Sequence, residues 1–214
     1  YRLVPEVLKR LGIKNLITVP EQMMPDGQFP TTKSPNPEER EALQLAITLA
    51  QKEGVDLIIG TDPDADRVGI VVRNKQGEYV KVTGNQIGVL LLDYLIQICK
   101  SNHTLKENAV VIKSIVSTNM AKSIAEHHGV HLMDVLTGFK FIGEKIKEFE
   151  NTNEYSFLFG FEESNGYLAG TYARDKDAIV ASMLIAEMAC YYRLKNMNLY
   201  DGLCDLYEKY GYFD

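Results

Sequence analysis

Apolar positions along the chain switch repeatedly between a helical and a strand-like period. Leu3, Val4, Val7, Leu8 and Leu11 recur at helical spacing, and Gly12 follows as a helix stop. Residues 15–19 read as a short buried strand, and residues 20–35, with four prolines, as a loop. Asn36, Pro37 and Glu39 have the chemistry of N-cap, N1 and N3, so a helix is predicted from there through Leu43, Ala46, Ile47 and Ala50 to Gly54. Residues 55–59 form a run apolar but for Asp56, which predicts a parallel strand covered on both faces. Residues 68–73 and 79–83 flank Asn74-Lys75-Gln76-Gly77 and predict a hairpin. Residues 85–100 predict an apolar helix, and the polar stretch 101–108 a linker.

A second series follows, with strands at 109–116, 130–135 and 155–160 and helices at 119–128, 141–150, 175–194 and 199–210. The pattern predicts an α/β protein of two tandem three-layer α/β/α domains with mixed, mostly parallel sheets, spanning 1–104 and 105–214. The opening helix has no strand before it. That gap, and the lack of an initiator Met, predict that the chain is part of a longer protein.

Composition narrows the function. Lys and Arg number 23 against 29 Asp and Glu, a net charge of −6, which argues against a nucleic-acid partner held by a basic surface. No apolar run approaches the ~20 residues of a membrane span, so no membrane partner is expected; the 87–98 run is broken by Asp93 and Gln97. Cys99, Cys190 and Cys204 match no disulfide or zinc spacing and read as reduced core residues, which suits the cytoplasm. His127, His128 and His131 read as a solvated helix end, since the zincin spacing fails at His128.

The most informative stretch is Gly60-Thr61-Asp62-Pro63-Asp64-Ala65-Asp66-Arg67. Three alternating carboxylates follow a buried strand, where open α/β sheets place ligands. Crowded carboxylates repel, and a divalent cation relieves that repulsion; hard oxygens suit Mg²⁺. Alternate residues of an extended chain lie ~7 Å apart, so Asp62, Asp64 and Asp66 must curl to share an ion. Arg67 adds a planar cation suited to phosphate. An EF-hand fails, because Arg67 and Arg73 stand where Gly and Glu are needed. A haloacid-dehalogenase-type phosphatase using Asp62 as nucleophile, and a non-catalytic sugar-phosphate or cation-binding module, remain as alternatives.

Three more polar loops follow predicted strands or precede a helix: Thr137-Gly138-Phe139-Lys140, Gly160-Phe161-Glu162-Glu163-Ser164-Asn165-Gly166 and Ala173-Arg174-Asp175-Lys176-Asp177. Glu162 and Ser164 share one face of an extended loop and are matched to vicinal sugar hydroxyls. Lys140 and Lys176 are placed to meet phosphate or donate a proton.

Taken together, these loops resemble the α-D-phosphohexomutase superfamily, in its phosphoglucomutase/phosphopentomutase-like branch. TDPDADR is similar to the family's metal loop and GFEESNG to its sugar-recognition loop; TGFKFIGE and ARDKDA resemble segments of its third domain, and TTKSPNPEE its second. The resemblance implies domains two and three of a four-domain isomerase of glucose metabolism. Such an enzyme moves phosphate between C1 and C6 of a hexose, or C1 and C5 of a pentose, through a phosphoserine and a bisphosphorylated sugar. It implies Mg²⁺ on Asp62, Asp64 and Asp66, catalytic parts for Arg67 and Lys176, and substrate contacts for Glu162, Ser164, Lys140, Gly138 and Arg174. The phosphoserine motif does not occur in this chain, so domains one and four are implied as partners from the same parent chain, and these residues alone are expected to be inactive.

Overall fold

A computed structural model describes residues 1–213; Asp214, the end of the expected second unit, lies outside the described residues. The opening helix α1, Leu3–Arg10, buries Leu8 and packs on a later helix, α6 (Ala178–Leu194). Residues 15–19 are not a strand. No described strand runs beside them and none of their side chains is buried, so neither a ladder nor a core fixes them in place. The predicted helix start at Asn36 is also corrected. Asn36 Oδ1 accepts the Glu38 N–H at 3.0 Å, but this closes a turn only. The helix α2 is Gln44–Glu53, entered through a 3₁₀ turn at Glu41–Leu43, where the buried Leu43 arrives. It ends at Gly54, as the sequence predicts.

The first sheet contains β1 (Leu57–Thr61), β2 (Val68–Arg73) and β3 (Tyr79–Val82) in that order. The hairpin β2–β3 stands as predicted, but β1 pairs antiparallel to β2, not parallel to a neighbour. Its apolar run reported burial on two faces, and burial does not set direction. One face packs on α2 through Ile58, Val71 and Tyr79; the other, with Val68, Ile70, Val72 and Val82, joins the main core.

The second sheet runs β5 (His131–Val135), β4 (Ala109–Ser114), β6 (Ser156–Glu162), β7 (Gly166–Ala169). The first three are parallel, and β7 is an antiparallel edge too short to be legible as a strand beforehand. A bulge shifts the β4–β6 register, pairing Val110 with Phe157 and Val111 with Phe159. Phe157 therefore faces helix α5 (Phe139–Thr152), while Phe159 and Phe161 face the main core. That core is shared by α3 (Gly84–Ser101), α4 (Met120–His128), α6 and α7 (Leu199–Tyr210), so the second sheet is a layer between helices. Capping boxes at Thr83/Gln86 and Asn198/Asp201 set the starts of α3 and α7.

Two readings of core and surface change. Cys190 is exposed, and Cys99 and Cys204 are only partly buried, because their helix faces turn away from the core. His128 is not a solvated helix end: its side chain is 9% exposed, with Nε2 3.0 Å from Asp93 Oδ1. Asp93 sits at 1% exposure inside apolar α3, and the Tyr210 hydroxyl donates to it at 2.6 Å. The Lys100 ammonium donates to His128 Nδ1 at 3.2 Å, which leaves Nε2 to carry the ring proton toward Asp93.

Two predictions follow from this packing. A Cβ on Gly84 would run into the Glu163 carbonyl. Gly84→Ala should lower urea-unfolding stability by about 3 kcal/mol. Helix propensity alone favours Ala by roughly 1 kcal/mol, so a stabilised variant would refute the contact. Burial, with help from Lys100 and Lys209, holds His128 below its ordinary pKa against the pull of Asp93. The fold thus favours the neutral ring: this contribution is complete above the unfolded value of 6.5 and is lost as pH falls through the lowered folded one. Urea midpoints should drop on acidification through that window, and His128→Gln should flatten that part of the profile.

Candidate functional site

The aspartate loop is folded around Asp62, whose side chain is 1% exposed. Its Oδ1 accepts the amides of Asp66 at 3.1 Å and Arg67 at 3.0 Å, and its Oδ2 accepts Arg67 Nε at 2.8 Å. Ala65 turns the crest with φ 59°, in the left-handed region, and its carbonyl accepts the Ala178 N–H at the start of α6 at 3.0 Å. The curl brings one carboxylate oxygen each from Asp62, Asp64 and Asp66 within 4.8 Å of one another. Three hard oxygens so placed suit a divalent cation such as Mg²⁺, so the donor set fits that ion.

Two cations face these carboxylates. Arg67 also reaches Glu38 Oε1 at 3.3 Å and Asn36 Oδ1 at 3.5 Å through Nη1. Lys176 places Nζ 2.8 Å from Asp66 Oδ2 and 3.5 Å from Asp175 Oδ1. Burial pushes the Asp62 carboxyl up, but the Arg67 hydrogen bonds outweigh it and hold its pKa low. Burial wins at Asp66, with the Asp62 charge adding to it, and its pKa is raised in spite of Lys176. Burial works against the Lys176 ammonium, yet its bond to Asp66 and the charges of Asp175 and Glu162 raise its pKa.

The loop of residues 162–166 lies directly against the aspartate loop. Val68 N donates to Asn165 O at 3.1 Å, and Asn165 Nδ2 donates to Val68 O at 2.8 Å. Arg67 and Gly166 form an isolated antiparallel bridge, and the Lys176 side chain covers Gly166 where a Cβ would stand. Glu162 is 5% exposed, and its Oε1 accepts the Gly138 N–H at 2.7 Å. Burial raises its pKa, against that hydrogen bond and the charge of Lys176. Ser164 is half-buried beside Asn165.

The structure thus gathers Asp62, Asp64, Asp66, Arg67, Lys176, Glu162, Ser164 and Gly138 along one seam. It does not bring in Arg174, which donates to the Thr171 and Ala173 carbonyls and pairs with Glu150 on α5. Lys140 is exposed and stands over the Phe141 ring.

Residues that the sequence did not single out complete the site. Glu163 Oε2 accepts from Ser114 Oγ at 2.7 Å and Ser117 Oγ at 3.3 Å. Buried Lys113 donates to the Ser117 carbonyl at 3.0 Å and pairs with Asp134 at 3.0 Å. A lysine at the end of an apolar strand was the one available signal. Asn165, the buried clasp, was hidden in a loop read for its Glu and Ser.

Comparison with known proteins agrees with this architecture. Residues 1–77 match the family model described as phosphoglucomutase/phosphomannomutase, alpha/beta/alpha domain II, and residues 83–210 match domain III. A phosphoglucomutase of Staphylococcus epidermidis is 42% identical over 212 residues, which cover 99% of this chain and 38% of that protein. A Staphylococcus aureus phosphoglucomutase is 40% identical over 209 residues, covering 98% and 37%. The chain therefore spans under two fifths of the length of these relatives. Among solved structures, a phosphoglucomutase/phosphomannomutase family protein from Burkholderia thailandensis aligns with a TM-score of 0.65 at 19% identity, over 85% of this chain and 35% of that one. The Paramecium phosphoglucomutase parafusin, in its open form, aligns with a TM-score of 0.61 at 20% identity, over 83% and 30%. At that identity the two structures speak for the fold.

Asn165→Ala should cost about 2–4 kcal/mol, because it strands the Val68 carbonyl and places a Cβ residue without a polar side chain at φ 63°. Asn165→Gly removes only the backbone strain and should recover about 1 kcal/mol of that loss. Equal urea midpoints for all three proteins would refute the clasp.

Proposed function

The chain belongs to the phosphoglucomutase/phosphomannomutase family, and on that premise we propose that it forms the central part of a cytoplasmic sugar-phosphate mutase. Its substrate is a hexose or pentose phosphate, and its partners are domains one and four of the same parent chain. The observation that carries this reading is the seam itself. A three-aspartate loop and a Glu-x-Ser loop, from two different sheets, are hydrogen-bonded together, and Lys176 pairs with Asp66 while the Glu162 charge acts on it. The two-unit division, 1–104 and 105–214, belongs to the same proposal. At its junction α3 follows the first sheet in sequence and packs on β6, α4, α6 and α7.

The roles follow from the chemistry of each side chain. Asp62, Asp64 and Asp66 would hold Mg²⁺, which when bound offsets the charge of the phosphoryl group in transfer. Arg67, fixed by Asp62 and Glu38, presents the rest of its guanidinium toward phosphate. Lys176 adds a second cation from the other side of the seam. Glu162, fixed by the Gly138 amide, and Ser164 accept and donate to sugar hydroxyls. Such contacts hold either orientation of a sugar, which a phosphate shuttling between two positions requires. Lys140 and Arg174 stand apart from the seam and are given no part in this reading. The phosphatase alternative is disfavoured by Asp62. Its oxygens accept three hydrogen bonds inside the loop and its side chain is 1% exposed, so it is poorly placed to attack phosphorus.

The 214 residues alone should not interconvert glucose 1-phosphate and glucose 6-phosphate, since the phosphoserine motif is absent from them. Measurable turnover in a coupled assay would overturn the reading. Asp64 is the exposed member of the trio, so Asp64→Ala should leave the fold intact and weaken Mg²⁺ binding at least tenfold by calorimetry. An unchanged affinity would remove the metal assignment. Capture of fluoroberyllate at Asp62 would favour the phosphatase instead.

A further inference from the structure

We infer that Lys176 is a tethered competitor for the metal loop, whose ammonium leaves Asp66 when a divalent cation binds and turns toward the sugar side of the seam. The inference rests on the metal reading of Asp62, Asp64 and Asp66. Both oxygens of Asp66 already face cations: Oδ1 lies 3.7 Å from Arg67 Nε, and Oδ2 lies 2.8 Å from Lys176 Nζ. A metal that takes either oxygen of Asp66 therefore arrives beside a positive charge, and the nearer of the two is the Lys176 ammonium.

The two cations are not equally free to move. Arg67 is held by Asp62 at 2.8 Å, by Glu38 at 3.3 Å and by Asn36 at 3.5 Å, and it lies in the backbone bridge to Gly166. Lys176 rides on the irregular segment between β7 and α6 on a flexible four-carbon stem. It has other carboxylates to turn to: Asp175 lies 3.5 Å away, and the Glu162 charge already acts on it.

Charge points the same way. A divalent ion within the loop repels the ammonium that stands on Asp66, and in a partly buried site that repulsion is weighted by a lowered dielectric. Because Lys176 comes from the unit that carries Glu162, its release would make the sugar side more positive as the metal side fills. A metal and a phosphorylated sugar would then help one another bind.

Two measurements on the purified protein test this. Lys176→Met removes the charge but keeps an apolar stem over Gly166, and should bind Mg²⁺ roughly tenfold tighter by calorimetry, the size of a typical coupling between sites. In the unmutated protein, the Lys176 ammonium signal in nitrogen-15 NMR should shift as Mg²⁺ saturates the loop. Equal or weaker affinity in the variant overturns the inference. So does a tighter variant with an unmoved Lys176 signal, which would mean only a general repulsion between charges. If neither protein binds Mg²⁺, the metal reading itself falls, and its failure is distinct from a failure of competition.

Discussion

The site depends on one pair of hydrogen bonds that Asn165 makes to the Val68 backbone between two separate sheets. Where β2 begins, the amide and carbonyl of Val68 have no partner within their own sheet at that edge. Asn165 supplies both: its carbonyl takes the amide, and its buried side chain covers the carbonyl. A buried backbone group left unpaired costs as much as a lost hydrogen bond, so the join is strongly specified. The left-handed turn at Asn165 and the close approach of Gly84 to the Glu163 carbonyl are consequences of that join. Asn and Gly are the residue types that tolerate these constraints at least cost.

The seam also sets the electrostatics. Asp62 shapes the loop that would hold the ion as well as offering it an oxygen: its carboxylate fixes the curl and the guanidinium of Arg67. Asp64 is left in solvent, and Asp66 is shared between cations from both units. One acidic loop thus contains a carboxylate fixed by its own backbone, an open one and a contested one. The opposite loop repeats the division of labour. Glu163 is tied down by two serine hydroxyls, while Glu162, its neighbour, is held at one oxygen by an amide. Alternation along an extended segment points the two glutamates to opposite sides, so one can anchor while the other faces the site.

Away from the seam, the buried Asp93–His128–Tyr210 group fastens α3, α4 and α7 together. Its polar atoms are mutually satisfied, which is what allows an aspartate in the middle of an apolar helix. From sequence, Asp93 interrupts a hydrophobic run; in the fold it is the acceptor that orients two neighbouring helices.

The sequence by itself determined the periodic elements and the chemistry of the loops. Helices such as α3, α6 and α7, the β2–β3 hairpin and the parallel core of the second sheet follow from local spacing and caps. The aspartate loop was legible from its alternating carboxylates, while the Glu-x-Ser and lysine loops, each weak alone, became legible through their resemblance to the phosphohexomutase family. Only the tertiary structure decided partners. The antiparallel direction of β1, the unpaired state of residues 15–19, the bulge that turns Phe157 away from Phe159, and the short strand β7 all depend on which neighbours are present. Lys176 meeting Asp66, and Asn165 closing on Val68, join residues about a hundred positions apart. No local pattern encodes such a pairing, because its free energy exists only once the two sheets have been brought edge to edge.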